Sequence, residues 1–396
     1  MSLEYYDDVI NTIESEEILK LVRKANALSD PDSYDKQKKN VKAIIRILKQ
    51  ILKEAEQRKE WLVFFDTFYN LFHAFYLQYD WPKIILYAEK YFQYECYMEQ
   101  VVLKYPAKRH RLLFDGCYGF IFKAYVTYPQ INDEKMEAFM KKYEYAVKIC
   151  GVRETYDESR FKLAFLYRDA AQAQEVLKVY LKHKIDSCYL CAREPVLVCY
   201  LLSKDYETLE YEMEQIRNKQ IPKQYRWCYR SCHYSNYKDL VGFILEKCII
   251  FGDVEYFHTL LERYKDIYQM NLKNIYTEEC CHQAYLGQFS QMAKHIETAE
   301  GDVEDGQDPK KQDLDYLEIC LYWHCYFILL HRSGKEEVAT TLTQRVTGEE
   351  KEMCSTVALA DFFEKEADRM GVLFDQSRKQ FRYQELKKYW EMCYLQ

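Results

Sequence analysis

The hydrophobic residues that follow Gly252 have the spacing of one buried helix face. In the stretch GDVEYFHTLLERYK, apolar or aromatic side chains stand two, five, nine and twelve positions after the glycine, at Val254, Phe257, Leu261 and Tyr264. Steps of three or four residues place them on the same side of a helix. The Gly-Asp pair in front suits a tight turn and a helix N-cap. The pattern therefore predicts a turn followed by an amphipathic helix.

The same pattern recurs in degenerate form along most of the chain. Further copies begin at turns near Tyr79, Arg168, Lys204, Gly287, Ser333 and Phe381, with a weaker copy near Asp133. An apolar helical stretch precedes each turn. The steps between turns are about 35 or about 47 residues, and the shorter step is the length of one helix–turn–helix unit. We therefore predict a helical hairpin repeated about seven or eight times.

The turn sequences YDW, KDY, GDV and GQF, together with this spacing, resemble the tetratricopeptide repeat (TPR) family. The resemblance covers about residues 61–396 and implies an all-α fold, a right-handed α-solenoid of TPR-like helical hairpins. The small alanine that the family places early in the second helix is kept at Ala173 and Ala339. Ile84, Leu209 and Phe257 replace it in other copies, which implies wider helix packing.

Residues 1–60 do not follow the repeat, and their pattern predicts two helices. One runs from about Leu3 to Leu28, and after the break SDPDSYD a second runs from about Asp35 to Lys59. The apolar stripe of the second helix consists of Val41, Ile44, Ile45, Leu48, Ile51 and Leu52. We expect an N-terminal helical cap or small bundle over residues 1–60 and the repeat array over residues 61–396. Residues 299–313 are acidic and almost devoid of apolar side chains, which predicts a mobile surface loop.

Composition and charge narrow the class of protein. The chain has 396 residues but only 11 Gly and 7 Pro, too few for an all-β or doubly wound fold, because both need many tight turns. The net charge of −7 argues against a nucleic-acid partner, because general nucleic-acid binders are basic. No apolar run reaches the ~18 residues of a membrane span, and the acidic N-terminal stretch lacks the apolar core of a signal peptide. We therefore expect a cytoplasmic protein without a membrane partner, whose 15 cysteines stay mostly reduced.

The sequence contains no familiar catalytic motif. Phosphate-binding glycine loops and the GxSxG nucleophile motif are absent from it, so we expect neither enzyme activity nor a cofactor. The alternative is a metal-dependent enzyme in which Cys188, Cys191, Cys228 and Cys232 bind zinc. Buried thiols in helix interfaces account for the same cysteines without a metal, and we predict no metal site.

The segment KQYRWCYRSCHYSNYKD combines tyrosine and tryptophan with arginine, the residue types that dominate binding at protein interfaces. The candidate ligand-binding residues are Tyr225, Arg226, Tyr229, Arg230 and Tyr234. On the concave face of a helical array they would suit a peptide or a partner helix. The tyrosines would equally suit packing inside helix interfaces. A third role, stacking on nucleic-acid bases, is disfavoured by the net charge.

These observations favour a non-catalytic scaffold or adaptor that binds a protein or peptide on its concave face. A narrower alternative rests on layout. Some Gram-positive peptide-pheromone receptors of the TPR type are intracellular arrays of similar length whose N-terminal helical bundle acts as the output. This chain is similar to them in layout and matches none of their motifs.

Overall fold

The computed structural model describes nine stretches of the chain. They are residues 9–28, 34–105, 117–150, 153–182, 188–228, 237–268, 277–287, 313–349 and 352–396. These residues are helical almost throughout, so the predicted all-α class is confirmed. The chain divides into two compact units, Met1–Ser159 and Arg160–Gln396.

The first unit is built of helices that pack on helices one or two places away in the chain. A 3₁₀ turn at Ile10–Thr12 precedes α1 (Glu16–Leu28), α2 (Tyr34–Arg58), α3 (Trp61–Tyr76), α4 (Trp81–Gln93), α5 (Glu95–Lys104), α6 (Gly119–Thr127) and α7 (Asp133–Cys150). Helix α8 (Glu154–Leu166) crosses the division between the units. Helix α2 packs on α1 and α3, and α4 packs on α3 and α6.

The two N-terminal helices follow the sequence prediction with one difference. All six residues of the predicted stripe on α2 are buried. The predicted first helix begins later than expected, because the Ser15 hydroxyl accepts a hydrogen bond from the Ile18 N–H at 3.3 Å and caps α1 there. Residues 1–8 lie outside the described part of the chain.

The core of the first unit is rich in aromatic rings. Helix α3 is buried on nearly every side, as its almost continuous apolar sequence requires. Phe68 lies edge-on to Tyr91 of α4, with ring centroids 5.3 Å apart, and Phe64 and Phe65 continue the row along α3. Edge-to-face packing of this kind adds to the free energy gained from burial.

The second unit continues with helices and contains one small sheet. Its helices are α9 (Ala170–Tyr180), α10 (Tyr189–Leu202), α11 (Tyr206–Arg217), α12 (Tyr237–Phe251), α13 (Val254–Arg263), α14 (Lys265–Tyr268), α15 (Thr277–Tyr285), α16 (Leu314–Arg332), α17 (Gln344–Thr347), α18 (Thr356–Ser377) and α19 (Tyr383–Tyr394). Helix α16 packs on α15, α18 and α19. One hydrophobic cluster extends from Leu190 to Tyr394 and forms the main core of this unit.

Four of the predicted hairpin turns share one backbone conformation. The turn residues have positive φ, and they are Tyr79 (52°), Arg168 (56°), Lys204 (58°) and Gly252 (72°). In each turn the following Asp N–H donates to the carbonyl five residues earlier, at 2.7–3.0 Å. This is the Schellman ending of a helix, which needs a left-handed residue at this position. In the turns at Asp80, Asp169 and Asp205, the Asp side chain then caps the next helix.

Most of the apolar positions predicted after these turns face the core, although the first positions Ala170, Tyr206 and Val254 are only partly buried. The buried residues are Trp81, Ile84, Ala88 and Tyr91; Ala173, Leu177 and Tyr180; Leu209, Met213 and Ile216; Phe257, Leu261 and Tyr264; and, after the turn near Phe381, Leu386, Trp390 and Cys393. The turn-and-helix unit is therefore confirmed at these five places. The helix predicted after Gly287 lies outside the described residues.

The helix predicted after Ser333 is wrong. Strand β1 (Glu337–Ala339) pairs antiparallel with β2 (Met353–Ser355), and Val338 lies opposite Cys354. In both strands the middle residue is buried and its neighbours are exposed. This alternation is the period of a strand with one buried face, and a helical interpretation of the segment overlooked it.

The longest apolar stretch of the sequence belongs to α16, a core helix. Tyr316, Leu317, Cys320 and Trp323 on this helix are all buried. Asp313 caps its start by accepting from the Tyr316 N–H at 2.8 Å. No helix among the described residues is both long and apolar enough to cross a membrane. The rest of the predicted acidic loop, residues 299–312, lies outside the described part of the chain.

Candidate functional site

The structure describes two of the five candidate ligand-binding residues. Tyr225 ends a 3₁₀ turn that follows Pro222, and Arg226 comes directly after it with an exposed side chain. Tyr229, Arg230 and Tyr234 lie outside the described residues. Cys228 is the last described residue before α12.

Tyr225 is held against the start of α10. Its ring stacks on the ring of Tyr189, the first residue of that helix, with centroids 5.2 Å apart and an interplanar angle of 27°. Both rings are half-buried. Burial raises the pKa of the Tyr189 hydroxyl, so it stays neutral at neutral pH. This stacking holds Tyr225, and with it the start of the segment that continues to Arg226, against α10.

The side chain of Trp227 is exposed at the end of this support. Its relative exposure is 51%, whereas Trp81, Trp323 and Trp390 are buried. Trp61 is half-buried and stacks on Tyr97 at 4.2 Å. All five tryptophans of the chain lie in described residues, so Trp227 is the most exposed of them. Sequence reasoning left it out of the candidate residues, because an aromatic-rich segment does not reveal which ring faces solvent.

The side chain of Cys228 packs this segment against the start of α10. Cys228 is fully buried and lies beside Cys188, the N-cap residue of α10. Burial and the neighbouring Cys188 raise the pKa of the Cys228 thiol, although the backbone N–H groups of Tyr189 and Leu190 act in the opposite direction. The thiol is therefore protonated at neutral pH and acts as a small buried anchor.

The described thiols do not assemble into a zinc site. Cys191 lies one helical turn beyond Cys188 on α10. Among the described residues, Cys188, Cys191 and Cys228 do not form a group of three ligand atoms close enough to hold a metal. Cys232, the fourth cysteine of the zinc alternative, lies outside the described residues.

Further along the chain, tyrosines that stack on each other and hydrogen-bond to a carboxylate support the packing of α11 on α13. Tyr206 stacks on Tyr256 with centroids 4.2 Å apart, and its hydroxyl donates to Asp253. Arg263 pairs with Glu210 at 2.7 Å on the same side. These rings have structural partners, whereas the exposed Trp227 contacts no other ring among the described residues. These two tyrosines therefore pack a helix interface.

The first unit has a separate cleft that the sequence did not indicate. It lies between the start of α3 and the end of α5, has a volume of about 300 Å³, and is lined in part by Arg58, Trp61 and Lys104. Arg58 also interacts with Glu17 at 3.4 Å. The volume is at the lower end of the range for small-molecule sites. The residues come from three separate segments, so no local motif could have predicted the cleft.

Comparisons of this chain with protein-family models, with curated proteins and with solved structures gave no match. Its function must therefore be inferred from its own residues, and the resemblance to the TPR family stays a prediction.

Proposed function

We propose that this chain is a non-catalytic protein- or peptide-binding scaffold, a solenoid of TPR-like hairpins acting in the cytoplasm. The surface formed by Tyr225, Arg226 and Trp227 would contact the ligand, and Tyr229, Arg230 and Tyr234 stay candidates from the sequence alone. The observation that carries the proposal is the exposure of Trp227 next to an exposed arginine and a fixed tyrosine pair.

About half of the Trp227 side chain is exposed and available to a ligand. Covering on the order of 100 Å² of that ring contributes about 2–3 kcal/mol, which is enough for an interface anchor. Such anchors are enriched in tryptophan, tyrosine and arginine. The stacked Tyr225 and Tyr189 reduce the conformational entropy that the segment would lose on binding.

The positive charge of Arg226 indicates which chemical group of the ligand would contact it. A guanidinium binds a carboxylate through two parallel hydrogen bonds, which adds orientation to affinity. We therefore propose a ligand segment that presents an apolar or aromatic side chain to Trp227 and a carboxylate to Arg226.

The test compares capture of partners by matched variants. Tagged wild-type protein, Trp227→Ala, Arg226→Ala and Tyr211→Ala are used as baits in a lysate of the source organism, and bound proteins and peptides are identified by mass spectrometry. Tyr211 is 63% exposed on α11 and serves as the control for an exposed aromatic ring elsewhere. We expect a stoichiometric partner with the wild type and Tyr211→Ala, and its loss with the other two variants.

The same experiment separates the alternatives. A short bound peptide would favour the intracellular peptide-pheromone receptor, and a larger protein would favour the adaptor. Equal capture by all four baits, with unchanged circular dichroism, would contradict the proposed surface.

A separate measurement, the zinc content of the purified protein, tests the third alternative. Zinc bound to the wild type and lost in Cys188→Ser would favour the metal-dependent enzyme.

A further inference from the structure

Three helices of the second unit bring a histidine and two carboxylates together. His324 lies on α16, Glu364 on α18 and Glu391 on α19. One potential ligand atom from each side chain lies within 4.8 Å of the other two. Among the described residues this is the one group of three or more such side chains with this geometry.

The hydrogen bond of His324 determines which ring nitrogen is available. His324 is 5% exposed, and its Nδ1 lies 3.1 Å from the carbonyl oxygen of Ala360. A carbonyl only accepts, so Nδ1 carries the proton and Nε2 carries the lone pair. Nε2 makes no hydrogen bond to the described residues. Metal-binding histidines have this arrangement, in which a backbone carbonyl orients the ring through its other nitrogen.

The two carboxylates differ in their surroundings. Glu364 accepts from Lys387 Nζ at 2.8 Å, and the same ammonium contacts Asp368 at 2.9 Å. Glu391 has no side-chain hydrogen bond or ion pair with the described residues. Lys387 pairs with only two of the three carboxylates Glu364, Asp368 and Glu391, so these four groups together carry a net negative charge, which favours a further cation.

We propose that His324, Glu364 and Glu391 bind one divalent transition-metal ion, with zinc as the best chemical fit. An imidazole nitrogen with two carboxylate oxygens suits zinc, whereas magnesium and calcium prefer all-oxygen sites. Three protein ligands leave a coordination position for water. The ion would also join α16, α18 and α19 at one point.

The test uses Co²⁺ as a spectroscopic probe and Zn²⁺ as its competitor. Co²⁺ is titrated into metal-free wild-type protein and into Glu391→Gln, which removes a ligand charge while keeping the size of the side chain. Glu385→Gln is the control, because Glu385 lies on the same helix and carries the same charge without belonging to the cluster. Circular dichroism establishes that each variant is folded.

We expect the wild type to bind one equivalent of Co²⁺ with visible ligand-field bands, and Zn²⁺ to displace it. Glu391→Gln should weaken binding at least about tenfold, and Glu385→Gln should leave it within about twofold. His324→Gln should have the same effect as Glu391→Gln. Cobalt bound to the thiols would instead give intense sulfur charge-transfer absorption in the near ultraviolet.

Equal affinity for Co²⁺ in the wild type and Glu391→Gln would overturn the inference. So would a spectrum with sulfur charge transfer alone, or an equal loss of affinity in Glu385→Gln, which would indicate general electrostatic attraction. None of these results depends on whether Trp227 binds a partner, so this inference and the proposed function can fail separately.

Discussion

Two aromatic regions of the second unit use the same residue types in opposite ways. In one, Tyr225 and Trp227 follow a 3₁₀ turn, and the tryptophan is 51% exposed. In the other, Trp390 and Tyr394 of α19 are buried and lie edge-on to Tyr322 of α16, with centroids 5.5 and 6.1 Å away. Aromatic content alone therefore does not distinguish a binding surface from a core.

The difference lies in the helical period. Trp390 occupies the third apolar position after its turn, so its helix directs it inward. Trp227 lies between α11 and α12, in a segment without that period, so no helix face determines its direction. The repeat pattern directs its aromatic residues into the core, whereas it does not fix the direction of Trp227.

The largest expected effect is that of removing the buried ring. Trp390→Ala leaves a cavity in contact with Tyr322, and we expect the free energy of unfolding to fall by about 3–5 kcal/mol. Chemical denaturation followed by circular dichroism measures this change. A loss below about 1 kcal/mol would show that the residues around α19 can move to fill the cavity. The contributions of Trp390 and Trp227 to stability would then differ less than their burial indicates.

The next effect concerns the packing of α19 against a turn. Gly252 has φ +72°, and a Cβ added there would come 2.5 Å from the ring of Tyr389. For Gly252→Ala we expect a loss of about 2–4 kcal/mol, from the left-handed backbone and the steric clash together. Gly334→Ala is the control, because Gly334 has φ +91° and no atom near the added Cβ. For Gly334→Ala the free energy of unfolding should fall by only the cost of the left-handed backbone, about 1 kcal/mol.

Similar losses in the two alanine variants would show that Tyr389 moves aside at little cost. The double variant Gly252→Ala with Tyr389→Ala provides a second check. It should recover part of the loss measured for Gly252→Ala alone if the ring causes the clash.

Local patterns predicted the turns and the buried stripes, because both depend on residues close in sequence. The turn at Lys204 was found from the KDY sequence and the stripe that follows it. The sheet at 337–355 was missed, because each strand has only three residues and the short helix α17 lies between the two strands in the chain. The cluster around His324 could not be predicted, because its three side chains come from three different helices and stand at least 27 positions apart in the sequence.

A smaller, pH-dependent effect is expected from the core next to Tyr394. Burial lowers the pKa of His282 from its usual 6.5 to about 3, and its ring contacts Phe257 and Tyr394. Above pH 6.5 the ring is neutral in both states, and its contribution to stability is fully present. Below pH 6.5 the unfolded chain takes up a proton that the folded chain excludes, so stability falls until about pH 3.

Between pH 7 and pH 5 this loss amounts to about 2 kcal/mol. His282→Phe removes the titrating group and should reduce the pH dependence by that amount, because all other ionisable residues are common to both proteins. The measurement is the free energy of unfolding of both proteins at the two pH values. Parallel pH profiles would show that His282 is as accessible to protons in the folded state as in the unfolded chain.

The smallest effect on stability is expected at the exposed ring. Trp227→Ala should change the free energy of unfolding by less than about 0.5 kcal/mol, because surface substitutions away from special features usually do. Its thermal melting curve, measured beside that of Trp390→Ala, decides between the two roles of tryptophan in this unit. A loss above about 1.5 kcal/mol would place Trp227 in the core with Trp390. If Trp227→Ala leaves the melting curve unchanged but abolishes capture of the partner, the exposed indole serves binding. A side chain that contributes little to folding and much to capture does so by contacting the ligand.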